Sequence, residues 1–274
     1  MKTTVITGCD SGIGEHLARI FADRGFKVVI SYLERNPFAG RDDITAMKMD
    51  LRSERDIEGF ARLVNERTGD GDTLNYFINN AGVALGGPFE DMPLDIYRAV
   101  FEVNFFGLLS VTRKVIPALI RHGGRLVVIG SMAGRIALPY LSPYAASKFA
   151  LEGWCDSVRR ELRPQGVATI LIEPAAVATP IWNRALGQDA SFVQEKYGPS
   201  LQKFQEEFIM KGNEGVDVAR AAEMIFRRIT KKRPAPRYVI AKNTLAARLQ
   251  LLIPGRLLDA ATAKLFAMKF NGPR

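Results

Sequence analysis

Short apolar runs alternate with longer amphipathic segments along most of the chain. The first two runs, 3–6 and 27–32, are rich in β-branched residues, and residues 15–24 between them have helical spacing. Four more strand-like runs follow at 44–49, 75–78, 126–129 and 167–173. Such alternation predicts an α/β fold, a doubly wound parallel sheet with helices on both faces.

A glycine-rich turn joins the first strand to the first helix, and residues 7–14 read TGCDSGIG. Gly8 would let the chain turn sharply, Gly12 would let the backbone approach a pyrophosphate, and Gly14 would let helix and strand pack closely. The helix N-terminus also favours phosphate charge. We interpret the turn as a dinucleotide site; a plain loop formed by three glycines in seven residues is the less favoured alternative.

Small or polar residues follow the ends of several predicted strands. Ligands of doubly wound sheets bind outside the carboxyl ends of the strands, so we expect Gly8, Asp50, Asn80, Ser131 and Pro174 to converge on one crevice. Simple turn chemistry is the alternative for Asn80, and a helix cap is the alternative for Asp50.

Candidate chemistry lies on a helix that begins near Ser142. Tyr144 and Lys148 are four residues apart and therefore share a face. A tyrosine pKa is about 10, and a neighbouring ammonium group lowers it by favouring the phenolate. Ser131, at the end of a strand, could hold a substrate oxygen against the tyrosine hydroxyl. Taken alone, the pair also fits an ordinary amphipathic helix surface.

With these motifs the chain resembles the short-chain dehydrogenase/reductase family from Met1 to about residue 240. The resemblance rests on the TGCDSGIG turn, NNAG at 79–82, VNFFG at 103–107, Ser131 and YAASK at 144–148. It implies a Rossmann-type fold and hydride transfer between a nicotinamide cofactor and the carbon of an alcohol, ketone or aldehyde.

The resemblance also implies a role for each catalytic residue. Tyr144 is the expected general acid/base, and Ser131 is expected to orient the carbonyl or hydroxyl. Lys148 is expected to bind the nicotinamide ribose and to lower the tyrosine pKa. Asn104 is expected to hold a water that links Lys148 to solvent. The implied cofactor-binding residues are Gly8, Asp10, Ser11, Gly12, Ile13, Gly14, Tyr32, Asp50, Leu51, Asn80, Ala81, Gly82, Tyr144, Lys148, Pro174, Val177 and Thr179.

The choice between NAD and NADP depends on the end of the second strand, where an acid selects NAD and an arginine accepts a 2′-phosphate. Tyr32 occupies that place, Glu34 could reach the ribose hydroxyls, and Arg35 could reach a phosphate. Since Asp10 and Ser11 supply no basic side chain, we favour NAD.

The opening TGCDSG is similar to the branch that contains retinol and hydroxysteroid dehydrogenases, which implies a hydrophobic substrate of steroid, retinoid or acyl type. Residues 180–215 would then form a substrate lid, whose apolar side chains include Ile181, Trp182, Phe192, Phe204, Phe208 and Ile209. Ordinary helix core is the alternative for these side chains.

One position departs from the family pattern. The family usually has Pro-Gly after the sixth strand, whereas this chain has Pro174 followed by Ala175. Alanine does not adopt glycine-only backbone angles cheaply. We therefore expect the loop near the nicotinamide to run differently at Ala175.

Length and composition fit one catalytic domain. The chain has 274 residues, 47% of them hydrophobic, and we expect a dinucleotide-binding catalytic domain over 1–241 with an extension over 242–274. Cys9 and Cys155 have no metal-ligand spacing and form no disulfide framework, so we predict no metal site and a reducing compartment. The first strand leaves no room for a leader after Met1, and we expect no bilayer-spanning run, so the cytoplasm is the predicted location.

The net charge of +9 is concentrated in the C-terminal part. Residues 224–274 contain twelve Lys or Arg and a single acid, Asp259. Within this stretch, apolar residues at helical spacing predict two short amphipathic helices around a break at Pro254. They could pack on the body or a second subunit, or they could make peripheral contact with an anionic membrane. Nucleic acid is not expected, because no reading motif or aromatic platform accompanies the charge.

Two further expectations concern assembly and function class. Family members are usually homodimers or homotetramers built through the helices around Asn104 and Tyr144. The alternative to an enzyme is a nicotinamide-binding sensor or scaffold without turnover, although such a module would need no proton relay.

Overall fold

The computed structural model describes residues 1–69, 71–181, 184, 187, 189, 191–210, 212 and 214–268. Seven parallel strands form one sheet in the order β3-β2-β1-β4-β5-β6-β7. The strands are β1 Lys2–Ile6, β2 Lys27–Tyr32, β3 Ile44–Lys48, β4 Thr73–Asn79, β5 Arg125–Ile129, β6 Ala168–Pro174 and β7 Arg237–Ile240. The strand order reverses between β1 and β4, which opens a crevice at their carboxyl ends. The predicted doubly wound α/β fold is confirmed.

Helices cover both faces of the sheet. They are α1 Gly12–Asp23, α2 Glu54–Arg67, α3 Leu94–Phe101, α4 Leu108–His122, α5 Ser142–Leu162, α6 Gly198–Phe204, α7 Val218–Ile229, α8 Thr244–Gln250 and α9 Gly255–Leu265. Two π-helical turns, Glu102–Gly107 and Gln205–Met210, follow α3 and α6. Helices α1 and α7 share one apolar core with the sheet, and α2, α4 and α5 share the other.

The central strands are buried on both sides, because successive side chains of a strand point to opposite faces. In β1, Val5 packs in the core under α2, α4 and α5, whereas Ile6 packs in the core under α1 and α7. Both side chains are fully buried. This two-sided burial explains why the strands form continuous apolar runs instead of alternating with polar residues.

The seventh strand was not predicted from the sequence. It is four residues long, begins at Arg237 and follows the segment RPAP, so its apolar run is too short to stand out. Its position is fixed by pairing with β6, in which Leu171 lies opposite Arg237 and Pro174 opposite Ile240.

The expectation that no apolar run reaches the length of a membrane span is wrong for residues 94–122. This continuous helical run has the length of a span, and an 18-residue window within it has a mean hydropathy of 1.4. Its side chains Val111, Val115 and Leu119 are buried against the sheet. The core helix of a globular domain meets the same criteria, so the run by itself is weak evidence for a membrane span.

Candidate active site

A cavity of about 500 Å³ lies at the carboxyl ends of the strands. Its wall includes Gly8, Asp10, Ser11, Gly12, Ile13, Tyr32, Asp50, Leu51, Asn80, Ala81, Gly82, Ser131, Tyr144, Lys148, Pro174, Val177 and Thr179. The crevice predicted from the sequence is therefore formed by the residues expected to meet there. Gly14 and Asn104, the other two predicted site residues, lie behind the wall and contact residues that line it.

The glycine turn is closed by direct contact with the loop after β4. Gly8 has a φ of +69°, and a Cβ on it would lie 2.6 Å from the Cα of Ala81. A Cβ on Gly14 would lie 2.5 Å from the carbonyl oxygen of Gly8. Asn80 Nδ2 donates to the carbonyl oxygens of Thr7, at 3.0 Å, and Gly8, at 2.8 Å. The turn therefore has no side chain at Gly8 or Gly14, which leaves its backbone accessible, as a phosphate-binding turn requires.

Asp10 has a structural task that sequence reasoning missed. Its Oδ1 accepts hydrogen bonds from three consecutive backbone N–H groups, those of Leu33, Glu34 and Arg35, at 3.0, 2.6 and 3.1 Å. Arg35 Nη2 in turn donates to the carbonyl oxygen of Asp10 at 3.0 Å and lies 3.1 Å from Glu15 Oε2. The glycine turn and the loop after β2 are therefore held together at the end of the cavity where Tyr32 lies.

Asp50 lines the cavity and pairs with Arg52. The Arg52 guanidinium donates to the carboxylate of Asp50 from Nε, at 3.0 Å, and from Nη2, at 2.6 Å. These hydrogen bonds hold the pKa of Asp50 below its ordinary value. The helix-cap alternative for Asp50 is wrong, because Ser53 is the residue that caps α2, accepting from the N–H of Asp56.

Helix α5 carries the predicted proton-transfer pair. Lys148 is 5% exposed, its Nζ donates to the carbonyl oxygen of Ile129 at 3.0 Å, and burial lowers its pKa to about 8. The same Nζ lies 5.7 Å from the centre of the Tyr144 ring. Burial raises the pKa of Tyr144, whereas a hydrogen bond with Ser131 acts in the opposite direction. The net shift is upward, opposite to the lowering that the resemblance implies, because burial outweighs the hydrogen bond.

Asn104 lies in the π-helical turn between α3 and α4, a type of turn that often marks functional sites. Its side chain is fully buried and makes two hydrogen bonds to the backbone of Val83. Nδ2 donates to the Val83 carbonyl oxygen at 2.9 Å, and Oδ1 accepts from the Val83 N–H at 2.8 Å. Nδ2 also donates to Ser147 Oγ at 3.0 Å. A Cβ on Gly82 would lie 3.2 Å from Asn104 Oδ1 and 3.8 Å from Lys148 Nζ. Asn104 thus joins the loop after β4 to α5.

Ala175 does not need a glycine conformation. Its φ is not positive, and its N–H donates to the carbonyl oxygen of Ile240 at 2.9 Å. Its side chain packs against the cluster of Val239, Ala241 and Ala247. The backbone conformation of Ala175 therefore gives no reason for the loop after β6 to run differently.

A charged cluster around the buried carboxylates of Glu152 and Glu173 escaped the sequence analysis. Arg237 Nη2 lies 2.7 Å from Glu152 Oε2, and Arg237 Nε lies 2.7 Å from Glu173 Oε1. Arg135, four residues after Ser131, lies 3.5 Å from the same Glu173 oxygen. The residues come from four separate parts of the chain. Glu173, an acid at the end of the apolar run 167–173, was the one sequence signal that could have revealed the cluster.

The predicted lid is described in part. Ile181 and Ile209 line the cavity. Phe192 approaches Gly87, where a Cβ would lie 3.1 Å from its ring, and Phe204 stacks on Phe208 with ring centres 5.4 Å apart. Trp182 lies outside the described residues.

Comparison with known proteins shows which family this chain resembles. The family model for short chain dehydrogenases matches residues 2–189. The oxidoreductase YusZ of Bacillus subtilis is 33% identical to this chain, and the match covers 84% of this chain and 85% of YusZ. The NADPH-dependent 3-dehydrocapnine reductase of Ornithobacterium rhinotracheale is 29% identical, with 94% and 95% covered. A solved short chain dehydrogenase/reductase from Burkholderia phymatum, in complex with NAD, has a TM-score of 0.78 at 21% identity, with 95% of each chain covered.

Gly8→Ala tests the glycine cradle. We expect NADH and NADPH to bind at least about tenfold more weakly, because the added methyl would displace the main chain of Ala81. Fluorescence titration of each cofactor measures the change. Gly25→Ala is the matched control, since Gly25 has a φ of +76° and open space around its Cβ position. It should cost about 1–2 kcal/mol of unfolding free energy and leave cofactor affinity unchanged. Unaltered affinity in Gly8→Ala would contradict the cradle.

The variant Glu152→Gln tests the buried cluster through the pH dependence of the free energy of unfolding. Burial, followed by repulsion from Glu173, raises the pKa of Glu152 from 4.5 to about 7. A carboxyl with a higher pKa in the folded chain binds its proton more tightly there, so its stabilising contribution falls as the pH rises through this window.

We expect the free energy of unfolding of the parent to fall by about 1–2 kcal/mol more than that of Glu152→Gln between about pH 4.5 and about pH 7.5. Urea denaturation at both pH values measures this. Glu161→Gln, an exposed position on the same helix, should retain the pH dependence of the parent. Identical pH profiles for Glu152→Gln and the parent would refute the raised pKa.

Proposed function

The chain belongs to the short-chain dehydrogenase family and is an NAD(P)-dependent oxidoreductase of CH–OH and carbonyl groups, and on that premise we propose that it interconverts the hydroxyl and carbonyl forms of a hydrophobic substrate with Tyr144 as general acid/base. The observation that carries the proposal is the placement of Ser131, Tyr144 and Lys148 on the wall of the cavity that the glycine turn also lines.

The cavity fits a nicotinamide dinucleotide. A Cβ at Gly8 would clash with the loop after β4, and Gly12, with a φ of +67°, faces Thr179 on the opposite wall. Bare backbone at the N-terminus of α1 suits the pyrophosphate. Ser11, Gly12 and Ile13 would hold this group, and Lys148 would hold the nicotinamide ribose. When bound, the cofactor supplies or accepts a hydride at the substrate carbon.

Tyr144 and Ser131 act on the oxygen of the substrate. In reduction, Tyr144 donates its proton to the carbonyl oxygen while Ser131 donates a hydrogen bond to it; in oxidation, Tyr144 accepts the proton. The raised pKa of Tyr144 keeps the phenol protonated near neutral pH, the form that reduction needs. An ammonium group on Lys148 stabilises the phenolate that remains. Asn104, which also bonds to Ser147, would anchor the water of a proton relay.

The substrate we propose is bulky and apolar, of steroid, retinoid or acyl type. The proposed lid, 180–215, presents Ile181 and Ile209 to the cavity. Behind Ile209, Phe204 and Phe208 pack against Tyr140 and Leu141, which precede the catalytic helix. Predominantly apolar walls with a few convergent polar groups are typical of sites for such molecules.

We propose NAD as the preferred cofactor. Arg35 is engaged by the Asp10 carbonyl and the Glu15 carboxylate instead of standing free for a 2′-phosphate. Asp10 places a negative charge on the cavity wall, and this charge would repel the phosphate of NADP. On the opposite rim Arg184 lies 3.6 Å from Glu34, so this arginine is also paired with an acid.

For assembly we propose a homodimer or homotetramer built through α4 and α5. Phe106, in the π-helical turn before α4, is 53% exposed, and Phe149, on α5, is 45% exposed. Large aromatic side chains at such exposure are typical of subunit contacts. The proposed location is the cytoplasm, with peripheral contact to a membrane through the C-terminal extension.

Tyr144→Phe tests the proton-transfer role. Removing the hydroxyl should lower kcat by about 10²–10⁴-fold, whereas titration with NADH should show an unchanged Kd. Turnover is measured with NADH and with NADPH against steroid, retinoid, acyl and small polar carbonyls. Tyr97→Phe is the control, because the Tyr97 hydroxyl lies 2.5 Å from Ser142 Oγ at the start of the same helix. Full turnover by Tyr144→Phe would favour a sensor or scaffold.

Asp10→Asn tests cofactor choice. Loss of the negative charge should improve the affinity for NADPH relative to NADH by about tenfold, or ~1.4 kcal/mol, because repulsion of the 2′-phosphate is removed. The two dissociation constants are measured by fluorescence. Asp42→Asn, an exposed position outside the cavity, should leave their ratio unchanged. A parent enzyme that already binds NADPH more tightly than NADH would contradict the proposed preference.

A further inference from the structure

The C-terminal extension presents a row of exposed leucines. Leu245 and Leu249 are one turn apart on α8 and are 69% and 54% exposed. Leu252, in the connection to α9, is 76% exposed, and Leu257, in the first turn of α9, is 62% exposed. We call these four residues the leucine row. A cluster of large apolar side chains at this exposure marks an interaction surface.

The opposite side of the extension is fixed to the body, so the leucine row belongs to a docked element. Ala247 of α8 is buried against Val239 and Ala241. Phe266, directly after α9, is 1% exposed and packs edge-on against Phe204, with ring centres 5.3 Å apart. With both helices anchored by their inner sides, the leucine row points away from the body.

Exposed basic residues adjoin the leucine row in the sequence. Lys242, Arg248 and Arg256 are exposed beside it, and Asp259 is the only acid of residues 224–274 against twelve Lys or Arg. Apolar side chains flanked by basic ones suit the surface of an anionic bilayer, where burial of the apolar groups and attraction to the headgroups add. A second copy of the chain is a poorer partner, because a two-fold interface would bring like charges together.

We propose that the leucine row docks on an anionic lipid bilayer. The proposal deepens the proposed function and rests on it for the consequence that an apolar substrate would reach the cavity from the membrane. Phe204, which holds Phe266, also packs on Tyr140 with ring centres 5.6 Å apart. Tyr140 Oη lies 2.6 Å from Ser200 Oγ. The docked extension therefore contacts the proposed lid at Phe204, and Phe204 in turn contacts Tyr140, four residues before Tyr144.

Vesicle flotation of the full chain tests docking without any substrate. The parent should float with vesicles of phosphatidylcholine mixed with phosphatidylglycerol and should stay unbound with phosphatidylcholine alone. The triple variant Leu245→Ser, Leu249→Ser, Leu252→Ser should bind the mixed vesicles at least about tenfold more weakly. Arg248→Gln with Arg256→Gln should weaken binding by about tenfold at low salt.

The matched control removes exposed apolar groups elsewhere. Phe89 and Leu94 are 77% and 64% exposed and lie outside the extension, so Phe89→Ser with Leu94→Ser should float like the parent. Absence of flotation by the parent, or equal flotation of the leucine-row variant, would overturn the proposal. A leucine-row variant that dissociates into smaller assemblies by light scattering, with no lipid binding by the parent, would assign the row to a subunit contact instead.

Turnover of a water-dispersed carbonyl separates the two proposals. The leucine-row variant should retain it, since no residue of the row lines the cavity. Flotation without turnover in the parent would contradict the proposed function and leave docking standing. Turnover without flotation would contradict docking and leave the proposed function standing.

Discussion

The contact between the loops after β1 and β4 is the constraint on which the site depends. These strands are neighbours at the point where the strand order reverses. Asn80 ties them by donating to the carbonyl oxygens of Thr7 and Gly8, while Thr7 Oγ1 accepts from the N–H groups of Asn80 and Ala81. Because the backbones approach so closely, Gly8 and Gly14 have no room for a side chain. The bare phosphate cradle is thus a consequence of how the two halves of the sheet are joined.

The same loop extends this constraint to the proton-transfer residues. Val83, three residues after Asn80, is clasped by Asn104 from the π-helical turn, and Asn104 bonds to Ser147 beside Lys148. The ammonium of a buried lysine is costly without partners. Here Lys148 Nζ has the carbonyl oxygen of Ile129 as an acceptor, and its pKa is nevertheless lowered. Burial of Lys148 therefore disfavours its charged form even with that acceptor in place.

Much of this arrangement follows from local sequence. The alternating apolar runs were sufficient to predict the fold class. The rule that ligands bind at the carboxyl ends of strands was sufficient to predict that Gly8, Asp50 and Asn80 line one cavity. Contacts between distant segments could not be predicted. The bonds of Asp10 to three N–H groups after β2 depend on the path of that loop, and the Glu152 to Arg237 pair depends on β7 joining β6. Neither has a fixed spacing along the chain, so neither leaves a local signal.

Ala175 shows how the extension and the site depend on one another. Ala175 packs, together with Met132, the neighbour of Ser131, against the cluster that contains Ala247 of α8. A glycine at this position would leave that contact unfilled and would loosen the loop after β6. At the other end of the extension, Phe266 packs edge-on against Phe204, which also contacts Tyr140, whose φ of 64° is a strained value for a tyrosine. The extension therefore contacts the body at two places, near the loop after β6 through α8 and at Phe204 through Phe266.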